Sequence, residues 1–207
     1  MKKILNCFIV DDHPMMRQGL KAALAEVFPD LCHIKGEAAS VDEAVERLQG
    51  LWIDVLIVDH SLQGKTGLDL VSLLSQSHPH IRFLIVTQSE DIKVLHHYRE
   101  FKVSAIVSKI SSNEDLAKSI EAIQNGKIFY SESIQALLKQ QPPESSLTVR
   151  EVEVVRLVAL GKTNKEVASL LDCSVETIKT HKSNIFAKLK ISNSVEISVW
   201  AMKQGLI

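Results

Sequence analysis

The feature that most constrains the fold of this chain is an alternation, over residues 1–126, of short apolar runs with segments of helical periodicity. The apolar runs are 4–10, 33–38, 55–59, 82–87 and 104–108, and the amphipathic segments are 15–27, 41–49, 68–75, 92–101 and 114–123. Continuous apolar runs are typical of strands that are buried on both faces, and strands that alternate with helices form parallel sheets. We therefore predict an α/β domain with a five-stranded, doubly wound parallel sheet of the flavodoxin-like kind.

The chain divides at a polar segment with a proline pair, KQQPPESS at 139–146. A proline pair cannot continue a helix, so this segment is typical of an interdomain linker. We predict a first domain at 1–126, a linker at 127–146 with room for a short helix at 131–140, and a second domain at 147–207. Residues 1–141 carry 15 basic and 18 acidic side chains, whereas 147–207 carry 9 and 6, so we expect the two halves to have different partners.

Composition excludes several classes of protein. In the first 14 residues, MKKILNCFIVDDHP, two aspartates and a proline cut the apolar run well below the length of a signal peptide or a membrane span. The three cysteines contain no CxxC pair, so the sequence predicts reduced thiols and neither a disulfide nor a zinc site. We expect a cytoplasmic protein.

Polar residues follow the predicted strands where each strand ends. The first strand ends at Asp11 and Asp12, the third at Asp59 and the fourth at Thr87, and Lys109 follows the fifth. Because the carboxyl ends of parallel strands meet at one edge of a sheet, we expect these side chains to converge. Clustered carboxylates repel one another unless a cation compensates, and Mg²⁺ is the natural one. A lysine beside such a site favours a further anion, and a phosphoryl group fits best.

Four segments, FIVDDHPMMRQGL, LIVDHSLQGKTG, LIVTQS and IVSK, resemble the receiver domain of two-component response regulators over residues 4–126. The resemblance implies that Asp59 is the phosphoacceptor, which takes a phosphoryl group from a phosphohistidine of a sensor kinase. It assigns the other residues as well: the Mg²⁺ ligands are Asp11, Asp12, Asp59 and the backbone carbonyl of Ser61, and the phosphoryl contacts are Thr87 and Lys109.

The sequence departs from the receiver pattern at the positions that relay phosphorylation. The family's aromatic switch residue, three positions before the lysine, is Ile106 here, so the switch pair reads Thr87 and Ile106. Gln63 stands where a proline is common, and Gln88 where a small residue is common. We therefore expect phosphorylation chemistry without the usual coupling of a threonine shift to an aromatic rotation. The histidines carry no recognisable pattern: we interpret His13 as a residue at the start of a helix and His60, His96 and His97 as surface or packing residues.

From residue 147 the pattern becomes purely helical. Thr148 and Glu151 form a capping box for a first helix that ends at Gly161, and Thr163 and Ser174 can cap the next two. A fourth helix covers about 194–203, and the tight LDCS turn between the second and third is typical of a helix-turn-helix. We predict a small all-α domain of four helices.

The third of these helices has the pattern of a DNA-reading helix. Its buried side contains Ile178, Ile185 and Leu189, its opposite side is small and polar, and no carboxylate occurs between 177 and 195. Such a surface can enter a major groove while lysines contact phosphates. The alternative is an ordinary solvated helix, which would normally mix acidic and basic residues.

The segment from Leu147 to Leu189 resembles the LuxR-type output domain, which makes the whole chain similar to response regulators of the NarL/FixJ class. The resemblance implies base-edge contacts by Lys179, Thr180 and Ser183. It implies contacts to the DNA backbone by Lys162, Asn164, Lys165, Thr177, His181 and Lys188. Lys182 stands where the family often has an aliphatic residue, and its stem can pack while its ammonium reaches outward.

These observations predict a sequence-specific transcriptional regulator that is controlled by phosphorylation and binds a two-half-site operator as a homodimer. Enzymatic activity would be limited to phosphoryl acceptance and slow self-dephosphorylation. One alternative is an atypical receiver controlled by a partner or ligand. Another, a phosphatase, is disfavoured because DDHP lacks the spacing of nucleophile and acid. Val195, Val199 and Met202 form an apolar stripe at helical spacing, which can make the dimer contact or pack inside its own domain.

Overall fold

The computed structural model describes residues 4–110, 112–140, 147–204 and 206–207. The chain forms two compact units, Met1–Gln141 and Pro142–Ile207. In the described ranges, no helix is both long enough and apolar enough to cross a membrane.

The first unit is a parallel sheet with helices on both faces. Its strands are β1 (Leu5–Val10), β2 (Cys32–Ala38), β3 (Val55–Asp59), β4 (Arg82–Thr87), β5 (Ala105–Ser108) and β6 (Phe129–Tyr130). Its helices are α1 (Pro14–Val27), α2 (Val41–Leu48), α3 (Gly67–Ser77), α4 (Ile92–Glu100), α5 (Asn113–Gln124) and α6 (Glu132–Leu138). The strand order is β2-β1-β3-β4-β5-β6, and every pair is parallel. The predicted α/β class is confirmed.

The predicted number of strands was wrong, because the sheet has six strands rather than five. β6 pairs with β5 through Ala105 and Phe129 and through Ile106 and Tyr130. A strand of two residues is too short to show an alternating or continuous apolar pattern, so sequence periodicity could not reveal it.

Alternating side chains divide the apolar residues of the sheet between its two faces, as the pleat of a strand requires. On β1, Phe8 and Val10 belong to one buried cluster, and Cys7 and Ile9 belong to the other. This two-sided burial makes the central strands read as continuous apolar runs. The polar residues that follow the strands are thus left at the sheet edge.

Residues 127–140, which the sequence analysis placed in a linker, contribute β6 and α6 to the first unit. Ile134 and Leu138 of α6 are buried in the same cluster as Leu95 of α4. β6 and α6 therefore cover the β5 edge of the sheet. The rest of the predicted linker, 141–146, lies outside the described residues.

The second unit consists of α7 (Val149–Ala159), α8 (Asn164–Leu170), α9 (Val175–Leu189) and α10 (Ser194–Lys203). Thr148 with Glu151 and Thr163 with Glu166 form complete capping boxes, and Ser174 caps α9. Ile178 and Ile185 bury one side of α9 in the core of the unit. The predicted helical helix-turn-helix domain is confirmed.

Candidate functional site

Two carboxylates and a lysine meet at the carboxyl edge of the sheet. Asp11 directly follows β1 and Asp59 ends β3, and their side chains are each about 1% exposed. The Nζ atom of Lys109, just after β5, lies 2.6 Å from Oδ2 of Asp59 and 3.1 Å from Oδ2 of Asp11. The strand register produces this convergence, since Val10 pairs with Val58 immediately before the two acids.

Burial controls the protonation of this group. Burial raises the pKa of Asp59 above its ordinary value, against the opposing effects of Lys109 and of the Ser61 backbone N–H, which lies 3.2 Å from Oδ1. Burial also lowers the pKa of Lys109, but its hydrogen bonds to Asp59 and Asp11 outweigh that effect and raise the pKa overall. Lys109 therefore keeps its positive charge at neutral pH.

The same edge can hold a metal ion. Ligand atoms of Asp11, Asp12, His13 and Asp59 all lie within 4.8 Å of one another. Oδ1 of Asp12 is buried and has no hydrogen-bond partner among the described residues; Nδ1 of His13 lies 2.7 Å from it, but outside hydrogen-bond geometry. A buried carboxylate oxygen without a hydrogen bond costs free energy, and a hard divalent cation would relieve that cost. The three carboxylates fit Mg²⁺.

The other predicted site residues of the first unit surround these acids. Ser61 is exposed, and together with Gln88, Asp59 and Lys109 it lines an open cleft that also includes His13, Met15 and Met16. Thr87 is buried, and its Oγ1 accepts a hydrogen bond of 2.9 Å from the Ser89 backbone N–H. The structure thus brings the predicted catalytic and metal-ligating residues to one edge of the sheet.

Most of the predicted DNA contacts lie exposed on the second unit. The exposed ones are Lys162, Lys165, Thr177, Lys179, Thr180 and Ser183, and the half-buried ones are Asn164, His181 and Lys188. On α9, the Lys179 ammonium lies 3.1 Å from the Glu176 carboxylate, and Thr180 Oγ1 donates to the Glu176 carbonyl oxygen. The outward side of α9 therefore presents an ammonium and two hydroxyls from adjacent turns.

Two lysines of α9 have partners in other helices. Nζ of Lys188 lies 2.7 Å from the carboxylate of Glu151, which is 3% exposed and also completes the cap of α7. Nζ of Lys182 donates to Oδ1 of Asn164 over 3.2 Å. The Lys182 ammonium thus contacts α8 of the same unit.

Family models match both units. A model of the response regulator receiver domain matches residues 7–121, which is more than half of the chain, and a model of bacterial regulatory proteins of the luxR family matches residues 145–201. This chain belongs to the response regulators. The family explains why acidic residues and a lysine meet at the sheet edge of one unit and why a helix-turn-helix forms the other.

The response regulator is similar to characterised proteins over nearly its whole length. It is 26% identical over 208 residues to the response regulator protein VraR of Staphylococcus aureus, covering 98% of this chain and 99% of VraR. It is 28% identical over 212 residues to the transcriptional regulatory protein LiaR of Bacillus subtilis, covering 99% and 100%. Among solved structures, RcsB of Salmonella enterica serovar Typhimurium, bound to promoter DNA in the presence of the phosphomimetic BeF₃⁻, matches with a TM-score of 0.65 at 26% identity, covering 98% and 99%.

Sequence reasoning missed a contact in this response regulator directly beside Asp59. Ile106, at the position of the family's aromatic switch residue, is buried in β5. Tyr98 of α4 belongs to the same apolar cluster as Ile106, and its hydroxyl lies 2.9 Å from Nδ1 of His60. His60 and His96, interpreted as surface or packing residues, both make hydrogen bonds in the interior. The amphipathic pattern of 92–101 predicted a helix with one buried side, but it did not indicate the partner of that side in the loop after β3.

Proposed function

We propose that this response regulator accepts a phosphoryl group on Asp59 from a sensor histidine kinase in the presence of Mg²⁺, and that phosphorylation promotes dimerisation and sequence-specific DNA binding by the second unit. The observation that carries the proposal is the buried cluster of Lys109, Asp59 and Asp11, beside which Oδ1 of Asp12 is buried without a hydrogen bond among the described residues. The cluster supplies a nucleophile, a cation and metal ligands within one cleft.

In the proposed reaction, an oxygen of Asp59 forms a bond to phosphorus while the bond from phosphorus to the kinase histidine breaks, and the histidine nitrogen keeps the electron pair. The Ser61 N–H holds one oxygen of Asp59 in place. Lys109 neutralises the added negative charge. Thr87 already accepts a hydrogen bond from Ser89, so its own hydroxyl proton can be donated to the phosphoryl group.

Mg²⁺ would neutralise phosphoryl oxygens, and the residues that would hold it are Asp11, Asp12, Asp59 and the carbonyl of Ser61. We include the Ser61 carbonyl because its residue lines the cleft beside Asp59. His13 is adjacent to the acids, but Mg²⁺ prefers oxygen ligands, so we assign it no ligand role. Beyond phosphoryl acceptance and slow self-dephosphorylation, we propose no enzymatic reaction.

For DNA, we propose that α9 enters the major groove. Lys179, Thr180 and Ser183 would read base edges, and this assignment rests on their shared exposure on one helix. The residues proposed to contact the DNA backbone are Lys162, Asn164, Lys165, Thr177, His181 and Lys188. The similar protein RcsB has been described as two dimers bound to two parallel DNAs, which supports a dimer on a two-half-site operator here. Val195, Val199 and Met202 of α10 are exposed and would form the dimer contact.

We also propose that residues 1–126 form the receiver domain, which β6 and α6 extend within the same compact unit, and that residues 147–207 form the output domain. We propose a cytoplasmic location as well. The second candidate function is an atypical receiver whose DNA binding is controlled by a partner or ligand. The observation that favours it is Ile106, which cannot perform the family's aromatic rotation. The two candidates make opposite predictions about a small phosphodonor.

The test is incubation of the full chain with Mg²⁺ and acetyl phosphate, followed by mass spectrometry of the intact protein and of its peptides. The proposal expects the mass of one phosphoryl group on the peptide that contains Asp59, together with tighter binding to operator DNA recovered by selection. DNA binding that ignores the modification would instead support the atypical receiver.

A further inference from the structure

The buried Tyr98 on α4 contacts the loop that follows the proposed phosphoacceptor. Tyr98 is fully buried, and its hydroxyl lies 2.9 Å from Nδ1 of His60, the residue that follows Asp59. The two rings meet edge to face, with centroids 5.7 Å apart and planes at 86°. Tyr98 lies in the same core cluster as Ile106, but Tyr98 belongs to α4 and Ile106 to β5.

The packing around this contact leaves little space for independent movement. The His60 backbone N–H donates a hydrogen bond to the Val86 carbonyl of β4. The His60 carbonyl accepts one from the Gly67 N–H of α3. A Cβ atom at Gly67 would overlap the Asp59 carbonyl oxygen and would lie 3.0 Å from the Tyr98 hydroxyl. A shift of the loop after Asp59 would therefore change the surroundings of the Tyr98 hydroxyl.

Helix α4 makes a second interior contact on its side towards α6. His96, one helical turn from Arg99 and also buried, receives a hydrogen bond of 2.8 Å from the Arg99 guanidinium at Nδ1. A guanidinium can only donate, so Nε2 of the neutral ring carries the proton and donates to the Gln140 carbonyl oxygen over 2.9 Å. Gln140 is the last described residue before 141–146. One helix thus contacts the phosphoacceptor loop and the segment that leads to the second unit.

We propose that the His60–Tyr98 hydrogen bond transmits the state of Asp59 to α4, and that α4 passes it through His96 and α6 to the segment at Gln140. This relay takes the place of a rotating aromatic residue on β5. It rests on the proposed function, because it needs phosphorylation of Asp59 as its input. A relay of this kind requires that the contacts differ between two states, and phosphorylation would change the loop at the residue next to His60.

The decisive variant is Tyr98→Phe, which removes the hydroxyl but keeps the ring and its packing. The matched control is Tyr130→Phe, because Tyr130 lies against the same core cluster and its hydroxyl makes no hydrogen bond within the described part of the chain. In the full-length protein, acetyl phosphate and Mg²⁺ are added, and two quantities are measured: the phosphoryl mass on Asp59 and the hydrogen exchange of peptides from 131–140.

We expect the parent and Tyr130→Phe to gain the phosphoryl mass and to change their exchange rates in 131–140. Tyr98→Phe should gain the phosphoryl mass to the same extent, but its change in exchange rate should be smaller than the parent's by a factor of up to about ten. The free energy of one hydrogen bond corresponds to a factor of this size. An undiminished response in Tyr98→Phe, or an equal loss in Tyr130→Phe, would overturn the relay and leave the proposed function intact. Absence of the phosphoryl mass in the parent would overturn the proposed function, and the relay with it.

Discussion

The reactivity proposed for Asp59 depends on its immediate neighbours. Its carboxylate is buried beside the Lys109 ammonium at 2.6 Å and the Ser61 N–H at 3.2 Å, so both oxygens are held in place. We expect Asp59→Asn to abolish acid-labile phosphorylation, because the amide keeps the shape of the side chain but is not a nucleophile. Mass spectrometry after acetyl phosphate treatment measures this directly. Undiminished labelling of the variant would show that another residue accepts the phosphoryl group.

Substitutions of Lys109 and of Asp12 should have different effects, the first on phosphorylation and the second on metal binding. Asp12→Ala is expected to weaken Mg²⁺ binding by at least about tenfold, since it removes one of the three carboxylates proposed to hold the ion. Lys109→Ala should keep the Mg²⁺ affinity within a few-fold of the parent's but impair phosphorylation. Isothermal titration calorimetry gives both affinities, and Asp30→Ala, which changes an exposed aspartate elsewhere in the first unit, is the control. Equal affinity in Asp12→Ala and the control would remove Asp12 from the metal site.

The sequence was sufficient to locate the acids and Lys109, because the carboxyl ends of parallel strands always share an edge. It was not sufficient for the His60–Tyr98 contact, which depends on how α4 rotates over the sheet. The same holds for the hydrogen bond from His96 to Gln140, which spans 44 residues of sequence. Contacts of this kind are set by packing and leave no periodic signal.

Among the helices of the second unit, α9 and α8 should play different parts in DNA binding. Lys179→Ala is expected to change the preferred sequence, since a lost base contact costs about 1–3 kcal/mol at one position. Lys165→Ala should weaken binding to all sequences alike and lower the slope of log affinity against log salt by about one. Binding-site selection with both variants at several salt concentrations separates the two effects. A changed sequence preference in Lys165→Ala, with only lower affinity in Lys179→Ala, would reverse the assignment.

Helix α7 is joined to α9 by Glu151, which accepts hydrogen bonds from Thr148 and Lys188. Glu151→Gln should lower the free energy of unfolding by about 1–2 kcal/mol, because it weakens both a helix cap and a charged hydrogen bond. Urea unfolding of the full chain measures the loss. Glu176→Gln on the exposed surface of α9 is the control, and an equal effect of the two changes would contradict the role of Glu151.

The contact with Glu151 also changes the interpretation of Lys188, which the sequence analysis gave only as a DNA contact. Its ammonium already has a buried partner, so binding a phosphate would compete with Glu151. The capping boxes of α7 and α8 were predictable because they are local, three residues apart along the chain. The partner of Lys188 was not predictable, since it lies 37 residues away on another helix.

In the whole molecule, the proposed phosphoryl site and the proposed DNA-binding surface occupy separate compact units. Their opposite charge balance was visible in the sequence, because composition does not depend on packing. The added β6 and α6 were not visible, since a strand of two residues and a helix of seven residues carry little periodic signal. Yet Gln140, just after these two elements, contacts α4 at the end of the path proposed for the signal.

The measurement that most directly tests phosphorylation control is the affinity of the full chain for its selected operator, determined with and without acetyl phosphate in the presence of Mg²⁺. The parent protein should bind at least about tenfold more tightly once Asp59 carries the phosphoryl group, which corresponds to about 1.4 kcal/mol of coupling between the two units. Asp59→Asn should show one affinity under both conditions. A parent protein that is fully phosphorylated on Asp59 and binds the operator with unchanged affinity would contradict the account.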